Sequence, residues 1–183
     1  MIERLCPDGV EFRLISDVYT RLRGTPITAS KMKEVAAEDG ELLIFAGGKT
    51  KVRARLEDVP NANVVQSPAV LVQSRGIIDA IYCDVPFAFK NEMWAYTHSN
   101  ATSVKYLYYV LKNNIEVFRN QASVMGSLPQ ISVKATERFR VPIPPMEIAH
   151  PGSRPLHQIV FAKHALLNIL TKYCVFDVEQ KLR

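Results

Sequence analysis

The chain is poor in cysteine, has no long apolar run and carries no catalytic signature. Its 183 residues include three cysteines, Cys6, Cys83 and Cys174. They lie far apart with no Cys-x-x-Cys pair, which argues against a disulfide framework or a zinc site and for reduced thiols in a cytoplasmic protein. No apolar run approaches the roughly 18–20 residues that span a bilayer, so no membrane partner is expected. The start, MIERLCPDGV, holds Glu3 and lacks the apolar core of a signal peptide. There is no Asn/Asp-Pro-Pro-Tyr/Phe motif of adenine methylation, no glycine-rich methyl-donor loop, no nuclease Pro-Asp matched to Glu-x-Lys and no catalytic triad. Glu179-Gln180-Lys181 stands alone near the end. His150, His157 and His164 recur every seven residues, but prolines separate the first two, and such positions on a helix lie about 10 Å apart. One ion cannot be shared over that distance, so no metal is expected. The expectation is a protein with no catalytic residues and no cofactor.

What is present is a core-forming composition, 48% hydrophobic, with a net charge of +5. The charge is segregated. Glu34–Glu41 contains four acids, and the stretch from Gly47 to Leu56 that follows contains four cations and no acid. Gly48-Lys49-Thr50 suggests a phosphate loop, but that motif needs glycine at position 43, where Leu43 stands. A helix should follow Thr50; instead KVRAR alternates with period two, which favours a strand. A nucleotide-binding loop is rejected.

Short β-rich runs dominate the first hundred residues: ELLIFA, KVRARL, AVLVQS, GIIDAIYC and NEMWAY, separated by Gly, Pro and Asn. LISDVYTRLR reads as a helical turn and then a strand, and SKMKEVAA as a short helix capped by Ser30. From Thr102 to Arg119 the apolar residues Val104, Leu107, Tyr108, Leu111, Ile115 and Phe118 recur at helical spacing, with Asn100 or Thr102 as the cap. Ser132 is expected to cap a second short helix, VKATERF, and VPIPP to leave as an extended strand. The fold class is therefore α+β: a mostly antiparallel β core with flanking helices over residues 1–148. A Pro/Gly-rich linker, 149–155, precedes a C-terminal helix, 156–183. In that helix Ile159, Ala162, Leu166, Ile169 and Tyr173 form a heptad seam. Folding back on the domain and pairing with another helix are equally compatible with it.

Placed on one strand, Lys49, Lys51, Arg53 and Arg55 would share a face, about 6.6 Å apart, with Val52 and Ala54 turned to the core. Such a row could follow a phosphate backbone or simply protect an exposed sheet edge. At that spacing the repulsion between neighbours is only about 0.6 kcal/mol in water, and the residues alone favour neither. Arg75, in a Ser-Arg-Gly turn, suits guanine or phosphate, or a structural pairing with Asp79 or Asp84. Lys90 and Asn91 open the NEMW strand, and asparagine there serves adenine or the turn itself. Gln130 and Lys134 flank a helix N-terminus suited to anions, where Ser132 reads as a cap. Trp94, Tyr106, Tyr108 and Tyr109 read as core residues rather than base-stacking platforms.

Several segments in order resemble type I restriction-modification specificity subunits, specifically their target-recognition domain. They are the opening CPDGVEFRLISDVYTRLRGTPIT, the middle VQSRGIIDAIYCDVPFAFKNEMWAY, the helix KYLYYVLKN and the exit GSLPQISVKATERFRVPIPPMEI. Together they cover residues 5 to about 148. The resemblance implies a domain that reads double-stranded DNA, and it turns the basic row and Arg75 toward DNA contact. It also implies a helix that pairs with a second one, and docking to methyltransferase and restriction subunits that carry the chemistry. Two features depart from the family pattern. The chain holds one recognition domain where a full subunit has two, and Pro151 and Pro155 interrupt an unusually apolar C-terminal segment. A half-length or truncated subunit is the reading adopted. A recognition fragment of a fused restriction-methylation enzyme and an orphan interaction protein are the alternatives.

Overall fold

The computed structural model describes residues 11–66, 68–125 and 128–143. The expected linker 149–155 and C-terminal helix 156–183, with its seam, lie outside them, as do Cys6 and Cys174. The described chain falls into two compact units. One contains two strands, β1 (Glu11–Leu14) and β11 (Arg140–Ile143), paired antiparallel with Glu11 opposite Ile143. The other comprises Ile15–Phe139.

In the larger unit β2 (Thr20–Arg23), β5 (Ala69–Gln73), β6 (Asp79–Cys83) and β8 (Trp94–Thr97) form an antiparallel sheet of order β2-β8-β5-β6. A second sheet has the order β4-β3-β7, from β3 (Leu42–Phe45), β4 (Lys51–Ala54) and β7 (Phe87–Phe89). Here β3 and β7 run parallel, the only parallel strand pair among the described residues. A small ribbon joins β9 (Ser123–Met125) to β10 (Leu128–Gln130).

Alternation of side chains explains the layering. Ala69, Leu71 and Ala95 point from the four-stranded sheet into one cluster with Phe45, Phe87 and Phe89 of the second sheet. The other face of the second sheet, through Leu42, Ile44 and Ala88, meets Met32 and Val35 from helix α2 (Ala29–Glu34) and the residue after it. The opposite face of the four-stranded sheet is covered by helix α3 (Ala101–Asn113), which packs on β5 and β6 and buries Val104, Leu107 and Leu111. Every residue of β5 is buried, because it lies between two strands and under cover on both faces.

The first helix, α1 (Ile15–Val18), is the single turn the sequence suggested. Cap assignments differ in part. Asn100 caps α3, its side-chain oxygen accepting from the amides of Thr102 and Ser103. Thr28, not Ser30, caps α2, because its hydroxyl accepts from Lys31 N. The long helix expected over 102–119 breaks at buried Asn114, and α4 (Ile115–Asn120) follows. The Asn114 amide donates to Val110 O, competing with the helical ladder at that turn. Helix α5 (Val133–Glu137) starts after Ser132, whose side chain makes no capping bond.

Thr136 anchors α5 to the central sheet. Its buried hydroxyl accepts from Trp94 Nε1 at 3.0 Å, lies 2.8 Å from the Tyr96 hydroxyl and donates to Val133 O at 3.1 Å. Burial pushes the Tyr96 hydroxyl up to about 12. Thr136→Val keeps the shape but leaves two buried donors unpaired, and should lower the unfolding free energy by about 1–3 kcal/mol in a denaturant titration. Burial, reinforced by Asp84, likewise raises the Cys83 thiol from 9.0 to about 11. The folded state therefore holds this proton more tightly than the unfolded chain. The contribution of Cys83 to stability should be level below about pH 9 and fall as pH rises from 9 toward 11. Denaturant midpoints across that range check this, and Cys83→Ala should make the decline between pH 9 and 10 shallower, while buried Tyr96 still contributes above pH 10.

Candidate nucleic-acid interface

The turn between β3 and β4 is closed by a bond from Ala46 N to Thr50 O at 2.9 Å, and Gly48 takes φ +70° in open space. A residue with a side chain is strained in that left-handed conformation, so the turn requires glycine. Lys49 and Thr50 are exposed at this turn. The basic row is therefore shorter than the alternation suggested: β4 covers Lys51–Ala54, Lys49 precedes it in the turn, and Arg55 leads into a 3₁₀ turn, Leu56–Asp58. Within β4 the alternation holds, with Lys51 and Arg53 exposed, Ala54 buried and Val52 packed toward α2. β4 is also the edge of its sheet.

The four cations are not equivalent. Arg55 pairs with Asp39 at 2.7 Å, and Arg53 donates to Gly40 O at 3.0 Å. The hydrogen bond and charge of Arg55 hold the Asp39 carboxyl below its usual range. The acidic run before β3 thus takes up Arg55. Lys49 and Lys51 make no ion pair among the described residues.

A second group of loops converges where β5 ends. Gln73 and Ser74 continue the buried run of that strand, at 6% and 1% exposure, yet both are polar. Each meets its hydrogen-bonding need on another loop: the Gln73 amide donates to Gly48 O, and the Ser74 hydroxyl to Glu92 O. The following residues are held by β10, through Ile131 N to Ser74 O and Gly76 N to Pro129 O, both 2.9 Å. Arg75 bridges Gln130 in antiparallel register. Three expected site residues, Lys49, Arg75 and Gln130, therefore come together through β5. The turn carrying Lys90 and Asn91 joins them through Glu92. Its close approach to β2 requires Gly24, where an added Cβ would lie 2.6 Å from Lys90 O.

Arg75 is exposed and pairs with neither Asp79 nor Asp84; Asp79 is taken by Lys112 at 2.6 Å. Lys90 is partly neutralised by Glu92 at 3.1 Å, and Asn91 is exposed. Gln130 is half-buried, and Lys134 is exposed in the first turn of α5. Arg53 and Arg55 are turned instead to Gly40 and Asp39, away from the convergence. Trp94 and Tyr106 are buried, as expected of core aromatics; Tyr108 and Tyr109 are half-buried, with ring centroids 5.3 Å apart. Gln73 and Ser74 had no place among the expected site residues. Their signal was available: two polar residues finish an otherwise apolar strand with no turn residue before them. Among the described residues no group of His, Cys, Asp and Glu could hold a metal ion, and no helix is long and apolar enough to cross a membrane.

Comparison with known proteins accords with this architecture. Residues 7–172 match the model of the type I restriction modification DNA specificity domain. No curated protein matches the sequence. Among solved structures, the chain is similar to the type I restriction-modification system S subunit from M. genitalium, with a TM-score of 0.58 and 18% identity. That match covers 92% of this chain and 39% of the other. The HsdS subunit from Thermoanaerobacter tengcongensis gives 0.53 and 16%, covering 91% and 40%. A chain from a structure on complex assembly and conformational transition of the type I R-M system gives 0.54 and 16%, covering 91% and 42%. The chain thus spans about two fifths of the solved chains it resembles. An α+β unit with this ordered set of motifs, matched by the family model over nearly its whole length, belongs to the type I restriction modification DNA specificity domain family.

Proposed function

We propose that this chain reads double-stranded DNA sequence for a type I restriction-modification system through the loops gathered around Gln73 and Ser74. The observation that carries this reading is the convergence of Lys49, Arg75 and Gln130 on one buried strand end, with both cations exposed and without ion-pair partners among the described residues. Basic side chains on loops fixed by a rigid sheet can meet phosphate without first being ordered. Lys51 and Lys134 extend the positive surface, Asn91 and Gln130 supply amides suited to base edges, and Lys90, Arg53 and Arg55 take secondary roles because protein groups already engage them. Residues 1–148 are taken as the DNA-reading domain; the expected linker 149–155 and helix 156–183 lie outside the described residues.

The chain works in the cytoplasm as a specificity component and leaves chemistry to its partners. A methyltransferase subunit would dock to it and modify adenine, and a restriction subunit would join for cleavage. Self-association through Ile159, Ala162, Leu166, Ile169 and Tyr173 would bring two recognition domains together. Sedimentation should then show a concentration-dependent dimer that Leu166→Glu converts to monomer; a concentration-independent wild-type monomer would remove this part.

Co-expression with candidate methyltransferase subunits and mapping of methylated adenines tests the main reading: one defined target sequence is expected, and random or absent methylation overturns it. For the same complex, about four phosphate contacts imply that log K falls with log salt at a slope near −4. Lys49→Ala should make that slope shallower by about 1. Gln73→Ala, which frees the Gly48 turn and removes no charge, should leave the slope unchanged while reducing discrimination between target and non-target duplex roughly tenfold, about 1.4 kcal/mol. Binding insensitive to salt would eliminate the electrostatic role of these loops.

A further inference from the structure

Four large apolar side chains stand exposed among the described residues: Leu56, Ile77, Val85 and Leu128. Two of them belong to the loops described above. Arg75 bridges Gln130, and Gly76 N donates to Pro129 O. Ile77 and Leu128 are the next residue along each of these antiparallel segments. They are 39% and 44% exposed. Single exposed aliphatic residues are ordinary on any surface. Two at adjoining register positions, close to an exposed arginine in the chain, suit an occupant with both apolar and anionic character.

The surrounding charge favours DNA. Arg75 and Lys49 are without ion pairs, whereas the nearby carboxylates of Glu92 and Asp79 are neutralised by Lys90 and Lys112. Two aliphatic side chains are far fewer than the roughly 20–30 residues that a stable protein interface engages on each side. The major groove admits a two-stranded ribbon and offers one apolar group on a base edge, the C5-methyl of thymine. Leu128 lies on such a ribbon, β9–β10.

We propose that Ile77 and Leu128 are specificity-determining residues that contact thymine methyl groups in the major groove, next to the point where Arg75 contacts the duplex. This rests on the DNA-reading function proposed above and adds a base class to it. The test uses the chain complexed with its methyltransferase subunit, together with duplexes of the mapped target in which deoxyuridine replaces each thymine in turn. Loss of one buried methyl should weaken wild-type binding about fourfold at one or two positions. Ile77→Ala or Leu128→Ala should bind the thymine and uracil duplexes equally at those positions. Both side chains are exposed, so thermal unfolding of the variants should match wild type. The proposal is overturned if wild type tolerates uracil at every position, or if both variants keep its thymine preference. Weakened assembly with the methyltransferase subunit and an intact thymine preference would assign the pair to a protein interface instead, which also overturns it. A mapped target with no thymine dependence sinks this inference and leaves DNA reading standing; absence of any defined target removes both.

Discussion

The larger unit depends on the burial of β5 along its whole length. A strand with neighbours on both edges and cover on both faces has no solvated side, so each residue must be apolar or find a partner inside. Ala69, Val70, Leu71 and Val72 meet the first condition. Gln73 and Ser74 cannot, and they bond instead to the main chain of two other turns. An unpaired buried amide or hydroxyl would cost about 1–3 kcal/mol, so these bonds hold the two turns against the end of the strand. Covering the central sheet and positioning the functional loops are thus consequences of one constraint.

The same logic connects the two sheets to the helices. Trp94 and Tyr96 bring polar groups onto a buried face, and Thr136 satisfies both while returning a bond to Val133. This ties α5, and with it the segment from Gln130 to Lys134, to the central strand β8. The polar interior of this unit consists largely of ties between segments distant in sequence, whereas the apolar interior is shared between layers.

Electrostatics sorts the cations by neighbour rather than by sequence spacing. Four basic residues alternate between positions 49 and 55, yet the acidic segment before β3 claims Arg55 and a carbonyl claims Arg53. Lys49 and Lys51 remain available. The charge segregation legible in the sequence was partly a pairing between adjacent elements, with Asp39 and Arg55 meeting across 16 residues.

The local pattern was a sound guide wherever local forces decide. The β-rich runs became β3, β4, β5, β6 and β8, and helical spacing located α3 and its Asn100 cap. Strand β7 carries little local signal because FAF is only three residues long, between Pro86 and the Lys90-Asn91 turn; it is a strand because Phe87 and Phe89 fill the space between the sheets. The cap of α2 and the break at Asn114 turned on which side chain reached a backbone group, which spacing does not encode. For the site, the sequence by itself determined the residue types: a run of cations that follows a run of acids, a Ser-Arg-Gly turn, and ordered motifs that pointed to the family. Only the tertiary structure decided which of them meet. Arg75 and Gln130 are 55 residues apart and become neighbours because a buried strand ends beside β10, and Lys49 joins them because a buried glutamine needs the carbonyl of Gly48.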